Sequence, residues 1–266
     1  MEEKQSIGLF DSGLGGLTGF RALRELLPGR DLVYFGDTAR VPYGTKSREV
    51  ICRFALQDTR FLLSENVSAV LVACGTVSSN ALELLEQTFA LPFVGVVSPA
   101  AERAAQIAGG KNGRVLVLGT AATVRSNAYR DALLRIEPGL EVMQQPCPLF
   151  VPLAENGHTE KGDVAATAIA KEYLEPYTSF APDAVILGCT HFPLLAEVIA
   201  DVLPAPKQVS AGEEAAKKMA SLVGDCPGKG SSTFYTSDDV SSFSEQAERF
   251  LGSPAERVFH ADIEKY

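Results

Sequence analysis

The residues of this chain with the widest acid–base and nucleophilic range are its five cysteines, Cys52, Cys74, Cys147, Cys189 and Cys226. Two of them sit in matching surroundings. The segments Ala69-Val70-Leu71-Val72-Ala73-Cys74-Gly75-Thr76 and Ala184-Val185-Ile186-Leu187-Gly188-Cys189-Thr190-His191 are each an apolar run, a small residue and then Cys, 115 residues apart. A similar offset relates Ile7-Gly8-Leu9-Phe10-Asp11-Ser12 to Val115-Leu116-Val117-Leu118-Gly119-Thr120. The chain therefore reads as two similar halves. A thiol at a strand end, just before a helix, meets the positive end of the helix dipole and free backbone N–H groups, which favours thiolate. With the halves face to face, Cys74 and Cys189 reach one cleft from opposite sides. One thiolate can then remove a proton from one face of a carbon while the opposing thiol delivers a proton to the other, which is stereoinversion. A lone free cysteine is normally a small buried hydrophobe, and Cys52, Cys147 and Cys226, without repeat partners, read as structural.

Other chemistries fit less well. The turn Gly13-Leu14-Gly15-Gly16-Leu17-Thr18 has Thr where a dinucleotide loop needs its last Gly, and no Gly-Lys-Ser/Thr follows it. Three histidines, His158, His191 and His260, assemble no ligand set at recognisable spacing, so no metal site is expected. Cys189 beside His191 would also suit a covalent nucleophile, a reading that leaves Cys74 unexplained. Asp11 and Asp37 each follow an apolar strand and are candidates both for function and for capping a turn.

The elements that must position these groups are legible in the pattern. Short apolar runs alternate with longer amphipathic segments, the signature of βαβ units and mostly parallel sheets. Strands are expected at Ile7–Phe10, Leu32–Phe35, Ala69–Ala73, Phe93–Val97, Val115–Leu118, Glu141–Gln144, Ala184–Leu187 and Thr233–Thr236. After Ser47, residues Ile51, Phe54, Ala55, Phe61 and Leu62 share one helical face, and Ser98-Pro99 reads as the opening of a helix. Gly109–Gly113 and Cys226–Gly230 read as turns. The predicted fold is α/β, two similar three-layer α/β/α domains related by a pseudo-two-fold, with the active site between them. The first domain spans 1–97 plus 210–266 and the second 98–209. In such open sheets, function gathers beyond the carboxyl ends of the strands.

Composition sets the outer limits. The 266 residues are 46% hydrophobic and 21% charged, enough for sizeable cores without disulfides or metals. Global disorder is excluded. A net charge of −9, with no cluster of Lys and Arg, argues against nucleic acid as the main partner. No run of about 18 apolar residues predicts a membrane span, and three charges precede the apolar run that ends at Phe10. An odd number of widely spaced cysteines fits a reducing cytoplasm.

Several motifs in order, Phe10-Asp11-Ser12-Gly13-Leu14-Gly15-Gly16-Leu17, Tyr34-Phe35-Gly36-Asp37-Thr38-Ala39-Arg40-Val41-Pro42-Tyr43-Gly44 and Leu187-Gly188-Cys189-Thr190-His191-Phe192-Pro193, together resemble the glutamate racemases. These cofactor-independent bacterial enzymes supply D-glutamate to peptidoglycan. The resemblance covers nearly the whole chain, with Gly119-Thr120, Thr123 and Pro152-Leu153-Ala154-Glu155-Asn156-Gly157. It implies Cys74 and Cys189 as the two acid/base residues, Cys74 serving D-glutamate and Cys189 serving L-glutamate. Asp11 and Ser12 would meet the substrate amino group. Pro42, Tyr43 and Gly44 would line the cleft, Thr76, Thr123 and Thr190 would bond the carboxylates, and His191 with Glu155 would assist Cys189. Asp37 joins this catalytic set. No cofactor is implied, and the partner is a small molecule, glutamate.

Two positions depart from the family pattern. The first cysteine is commonly followed by Asn-Thr, whereas Gly75-Thr76 stands here, so a side-chain amide is replaced by a backbone N–H that a ligand can approach closely. Val209-Ser210-Ala211-Gly212 replaces an expected Asp-Ser pair, and its role is read as structural. The segment 36–46 suits either a lid or a rigid turn. A racemase for aspartate or another acidic amino acid, and a non-catalytic amino-acid-binding module on the same fold, are alternative readings. A homodimer is compatible with all of them, and the oligomeric state is not encoded in any motif.

Overall fold

The computed structural model describes residues 6–110 and 112–266; the charged residues that open the chain and Lys111 of the 109–113 turn lie outside the described residues. The strands are β1 (Ser6–Asp11), β2 (Leu32–Gly36), β3 (Val67–Val72), β4 (Phe93–Gly95), β5 (Arg114–Gly119), β6 (Glu141–Pro146), β7 (Ala184–Leu187), β8 (Lys207–Ser210), β9 (Ser232–Thr236) and β10 (Val258–His260). The helices are α1 (Leu17–Leu26), α2 (Arg48–Ser64), α3 (Gly75–Asn80), α4 (Leu82–Thr88), α5 (Val97–Ala108), α6 (Ala121–Ser126), α7 (Ala128–Ile136), α8 (Phe150–Glu155), α9 (Val164–Leu174), α10 (Ala196–Val202), α11 (Ala211–Val223) and α12 (Val240–Leu251). Among the described residues no helix is long and apolar enough to cross a membrane.

The strands form two parallel sheets, one ordered β10-β9-β2-β1-β3-β4 and the other β6-β5-β7-β8. The second repeats the β2-β1-β3-β4 topology of the first, strand for strand, so the fold is the expected α/β pair of domains. Buried parallel strands are apolar on both faces, and alternate residues supply different cores. From β1, Ile7 and Leu9 face inward with Leu71, while Phe10 faces outward with Val33, Phe35 and Val72. From the second sheet, Val115, Val117 and Ile186 join the same inner core, and Leu116, Leu118, Val185 and Leu187 build the outer one. The inner core is thus continuous between the sheets. It is filled by α1, α5, α7 and α11, whose alanines at 100, 101, 104, 215 and 216 let helices and strands approach closely.

Eight expected strands are present. Phe93–Val97 is shorter, because Val96 already has helical backbone angles and α5 begins at Val97. Ser98 is consequently not the cap of that helix; its hydroxyl donates to Glu102 at 3.3 Å. Ser47 does cap α2, accepting from the Val50 N–H. β8 and β10 were not expected. Both are short edge strands, and Lys207-Gln208-Val209-Ser210 carries only one apolar residue. Val209 enters the inner core and Ser210 caps α11, so this segment does serve structure.

Replacing Ile186, fully buried in a central strand, by Ala will cost about 2–5 kcal/mol through lost transfer energy and an unfilled cavity. Leu222→Ala, at a position 54% exposed, will change stability by less than about 0.5 kcal/mol. Urea unfolding, with the midpoint shifting at constant slope, checks both.

Candidate active site

In each sheet the strand order reverses between two neighbouring strands, β1 and β3 in one and β5 and β7 in the other. Such switch points open a crevice at the carboxyl ends of the strands. Here the two crevices meet in one cavity of about 350 Å³. Asp11 and Ser12 enter it from the end of β1, Cys74, Gly75 and Thr76 from β3, Thr120 from β5, and Cys189, Thr190 and His191 from β7. Pro42, Tyr43 and Gly44 line it as well, and so do Pro148, Val151, Pro152 and Glu155.

The halves touch at the site itself. A Cβ on Gly75 would overlap the Gly188 carbonyl oxygen and lie 3.7 Å from the Cys189 Cα. Only a residue without a side chain permits this approach of the two main chains, and the contact ties the residue after one thiol to the residue before the other. The departure at position 75 therefore has a packing cause in this chain.

Around Cys74 the setting is anionic and dry. The thiol donates to Ser12 Oγ at 3.6 Å. Asp11, 1% exposed, accepts from the N–H groups of Gly13 and Gly16 at 3.1 Å each, so it also shapes the turn into α1. Burial raises the Asp11 carboxyl above its ordinary value, against the pull of His191 and the two N–H groups. Burial, joined by the Asp11 charge, pushes the Cys74 thiol up to about 12. The expectation that the helix N-terminus favours thiolate fails here: Cys74 heads a helix of six residues, and desolvation outweighs its dipole.

Around Cys189 a cation is built in. Its Sγ lies 3.8 Å from His191 Nδ1, and His191 Nε2 lies 2.9 Å from Glu155 Oε1. Burial alone would lower the imidazole, but hydrogen bonds to Cys189 and Glu155 and the Cys189 and Asp11 charges outweigh it and raise His191 to about 10. At neutral pH the ring carries its second proton.

Threonine hydroxyls supply the neutral donors. Thr76 and Thr120 lie 3.0 Å apart, and Thr120 and Thr123 are also 3.0 Å apart. Thr123 is fully buried behind Thr120 and does not line the cavity. Thr120 was missed as a site residue, although the repeat pairing it with Ser12 carried the signal.

Asp37 also stands away from the cavity. It lies beneath Tyr43, accepting from the Tyr43 hydroxyl, from Arg40 Nε at 2.6 Å and from Ser237 Oγ at 2.8 Å. Arg40 further donates to Asp58 Oδ1 at 2.8 Å. Burial, then the Asp37 charge, raises Asp58 well above the carboxylate range. This network ties segment 36–46 to α2 and to the residue after β9. Asp58 was legible as a carboxylate on the apolar face of α2, one turn after Phe54. Cys52, Cys147 and Cys226 lie outside the cavity, and among the described residues no three His, Cys, Asp or Glu side chains are grouped to hold a metal ion.

The Asp/Glu/Hydantoin racemase family profile matches residues 19–220. The chain belongs to that family. It is an amino-acid racemase, an isomerase. A glutamate racemase of Geobacter metallireducens is 42% identical over 98% of this chain and 97% of its own length. Among solved structures, the glutamate racemase of Francisella tularensis in complex with D-glutamate superposes with a TM-score of 0.91 at 34% identity, covering 99% of both chains. One from Bacillus anthracis gives 0.92 at 33% identity and 98% coverage of both.

The raised His191 has a consequence for stability. Between the ordinary imidazole value of about 6.5 and the folded value of about 10, the native racemase holds a proton that the unfolded chain has released. The stabilisation is complete below pH 6.5 and is lost as pH rises to 10, with a slope of at most about 1.4 kcal/mol per pH unit. Cys74 acts with the same sign between 9 and about 12, since only the unfolded chain ionises there. Urea unfolding from pH 6 to 10 will show this decline, and His191→Gln will flatten it below pH 9.

Proposed function

We propose that this racemase interconverts L- and D-glutamate by proton transfer at the α-carbon between two thiols, and that its D-glutamate supplies peptidoglycan synthesis in a reducing cytoplasm. The observation that carries the reading is the convergence of Cys74 and Cys189 on one cavity from the two repeated strand ends. The relatives above, all glutamate racemases, support the choice of substrate. The domains of this proposal are 1–97 with 210–266, and 98–209.

From L-glutamate, the Cys189 thiolate takes the α-proton while His191, held by Glu155, balances the charge beside it. The electron pair left on carbon then receives the proton of the Cys74 thiol on the opposite face, which leaves a Cys74 thiolate. The high value at Cys74 supports this order, because the resting group is the donor that the L-to-D direction needs. D-glutamate runs the sequence in reverse.

Asp11 and Ser12 bind the ammonium group beside Cys74. Thr76, Thr120 and Thr190, with the Gly75 N–H, bind the carboxylates, and Thr123 orients the Thr120 hydroxyl. Pro42, Tyr43 and Gly44 close the wall, with Asp37 acting through Tyr43. Excluding water from this cavity keeps both proton transfers at hydrogen-bond range.

The test is circular dichroism of L-glutamate and, separately, L-aspartate with the protein in deuterium oxide, followed by mass spectrometry for α-deuterium. Decay with glutamate alone and deuterium in the inverted product is the expected result. Decay with aspartate alone moves the assignment to that substrate, and no decay with either overturns it. Cys74→Ala and Cys189→Ala will each lower racemisation by at least about 100-fold with the fold unchanged; full activity in Cys74→Ala would sink the two-thiol mechanism.

A further inference from the structure

The Glu155–His191 pair belongs to the half built on the second sheet, yet much of what packs on it comes from the other half. α12, which packs on α1 and β10, presents two consecutive residues to it. The Phe250 ring, 1% exposed, stands edge-on to the His191 ring, with centroids 5.5 Å apart at 85°. Arg249 Nη1 donates to the Glu155 carbonyl at 2.9 Å. That carbonyl is on the last residue of α8, where main-chain oxygens lack helical partners and a cation is favoured by the dipole. The turn before α1 completes the enclosure: a Cβ on Gly15 would overlap His191 Nδ1 and Thr190 Oγ1. The charged and titratable groups around His191 are Cys189, Glu155 and Asp11.

We propose that Arg249 and Phe250 are positioning residues that hold the Glu155–His191 pair in register with Cys189, so that the charge support of the thiol in one half is completed by a helix of the other. The proposal rests on the reading of Cys189 as a proton-transfer thiol. Phe250 fixes the tilt of the imidazole about its bond to Glu155, and Arg249 fixes the end of α8 that carries the carboxylate. When the halves separate, both contacts are lost together and His191 is free to turn away from the sulfur. Catalytic competence is thereby tied to the closed arrangement of the halves, without either residue touching substrate.

The enantiomers are equally stable, so kcat/KM must stay equal in the two directions for every variant. Isotope effects separate them. Weakening this charge support slows only the step at Cys189. For Arg249→Ala/Phe250→Leu, we expect kcat/KM to fall about ten-fold. The primary isotope effect with α-deuterated L-glutamate will rise, because the Cys189 step becomes more rate-limiting. With α-deuterated D-glutamate it will fall, because removal of deuterium by Cys74 becomes reversible before the slow step. Arg249→Lys, which keeps a donor, will recover part of the loss.

A second readout needs no activity: in nuclear magnetic resonance titrations the His191 ring will deprotonate at lower pH in the double variant than in the parent protein. Unchanged isotope effects and an unchanged His191 titration in a folded variant overturn the proposal. If the parent protein does not racemise glutamate while the His191 titration still moves, the positioning role stands and the substrate reading falls.

Discussion

Two main chains meet with nothing between them where Gly75 lies against the Gly188 carbonyl, and the remainder of the site is arranged around that approach. Each glycine neighbours a cysteine, so the distance between the halves and the distance between the thiols are one variable. Strand repetition alone would not achieve this. It places Cys74 and Cys189 at equivalent ends of β3 and β7, and the shared layer of α1, α5, α7 and α11 brings the two ends together. The alanines of that layer matter for the same reason as the glycines, since larger side chains would move the sheets apart and widen the cleft.

Equivalence of position does not give equivalence of charge, and the two identical side chains have different ionisable neighbours. Both cysteines are nearly without solvent contact. Beside Cys74 the neighbouring ionisable group is a carboxylate, so burial and charge push in the same direction and the proton stays on sulfur. Beside Cys189 it is an imidazole whose own proton is retained by a carboxylate behind it. Asp11 and His191 also face each other in charge, each opposing the desolvation of the other. The site thus gathers two carboxylates, an imidazole and two thiols around one cavity, with Glu155 the most exposed of the ionisable groups.

The parts of this arrangement that were legible in the sequence are those with periodicity or repetition behind them. Central strands advertise themselves because both faces are buried, and the two cysteines because one motif occurs twice. Edge strands β8 and β10 were silent: one face of each is solvated, and pairing with a neighbouring strand, not apolar pattern, makes them strands. The helix start at Val97 was displaced by two residues from the Ser98-Pro99 opening because backbone angles, and not the presence of Ser and Pro, decide where winding begins. Helix-dipole reasoning about Cys74 failed because it counted the field of a short helix and not the removal of water, the larger effect at a buried thiol. Asp37 and Thr123 illustrate another limit. Motif position brings a residue near a site, but only packing decides whether it faces the cavity or stands behind the residue that does.

The same distinction explains the network of Asp37, Tyr43, Arg40 and Asp58. Two buried carboxylates beside one guanidinium would be costly as isolated charges, and breaking such a group by removing one partner is more damaging than never having built it. Its benefit is geometric. The Tyr43 hydroxyl donates to Asp37 and lies 3.2 Å from Asp58 Oδ2, so the ring that forms the cavity wall is held from below by two anchors, Asp37 just after β2 and Asp58 within α2. A wall held this way is tied to the half built on the first sheet. The second half meets this wall through contacts at the site itself: Gly75 against Gly188, Gly15 against His191, and α12 against the Glu155–His191 pair.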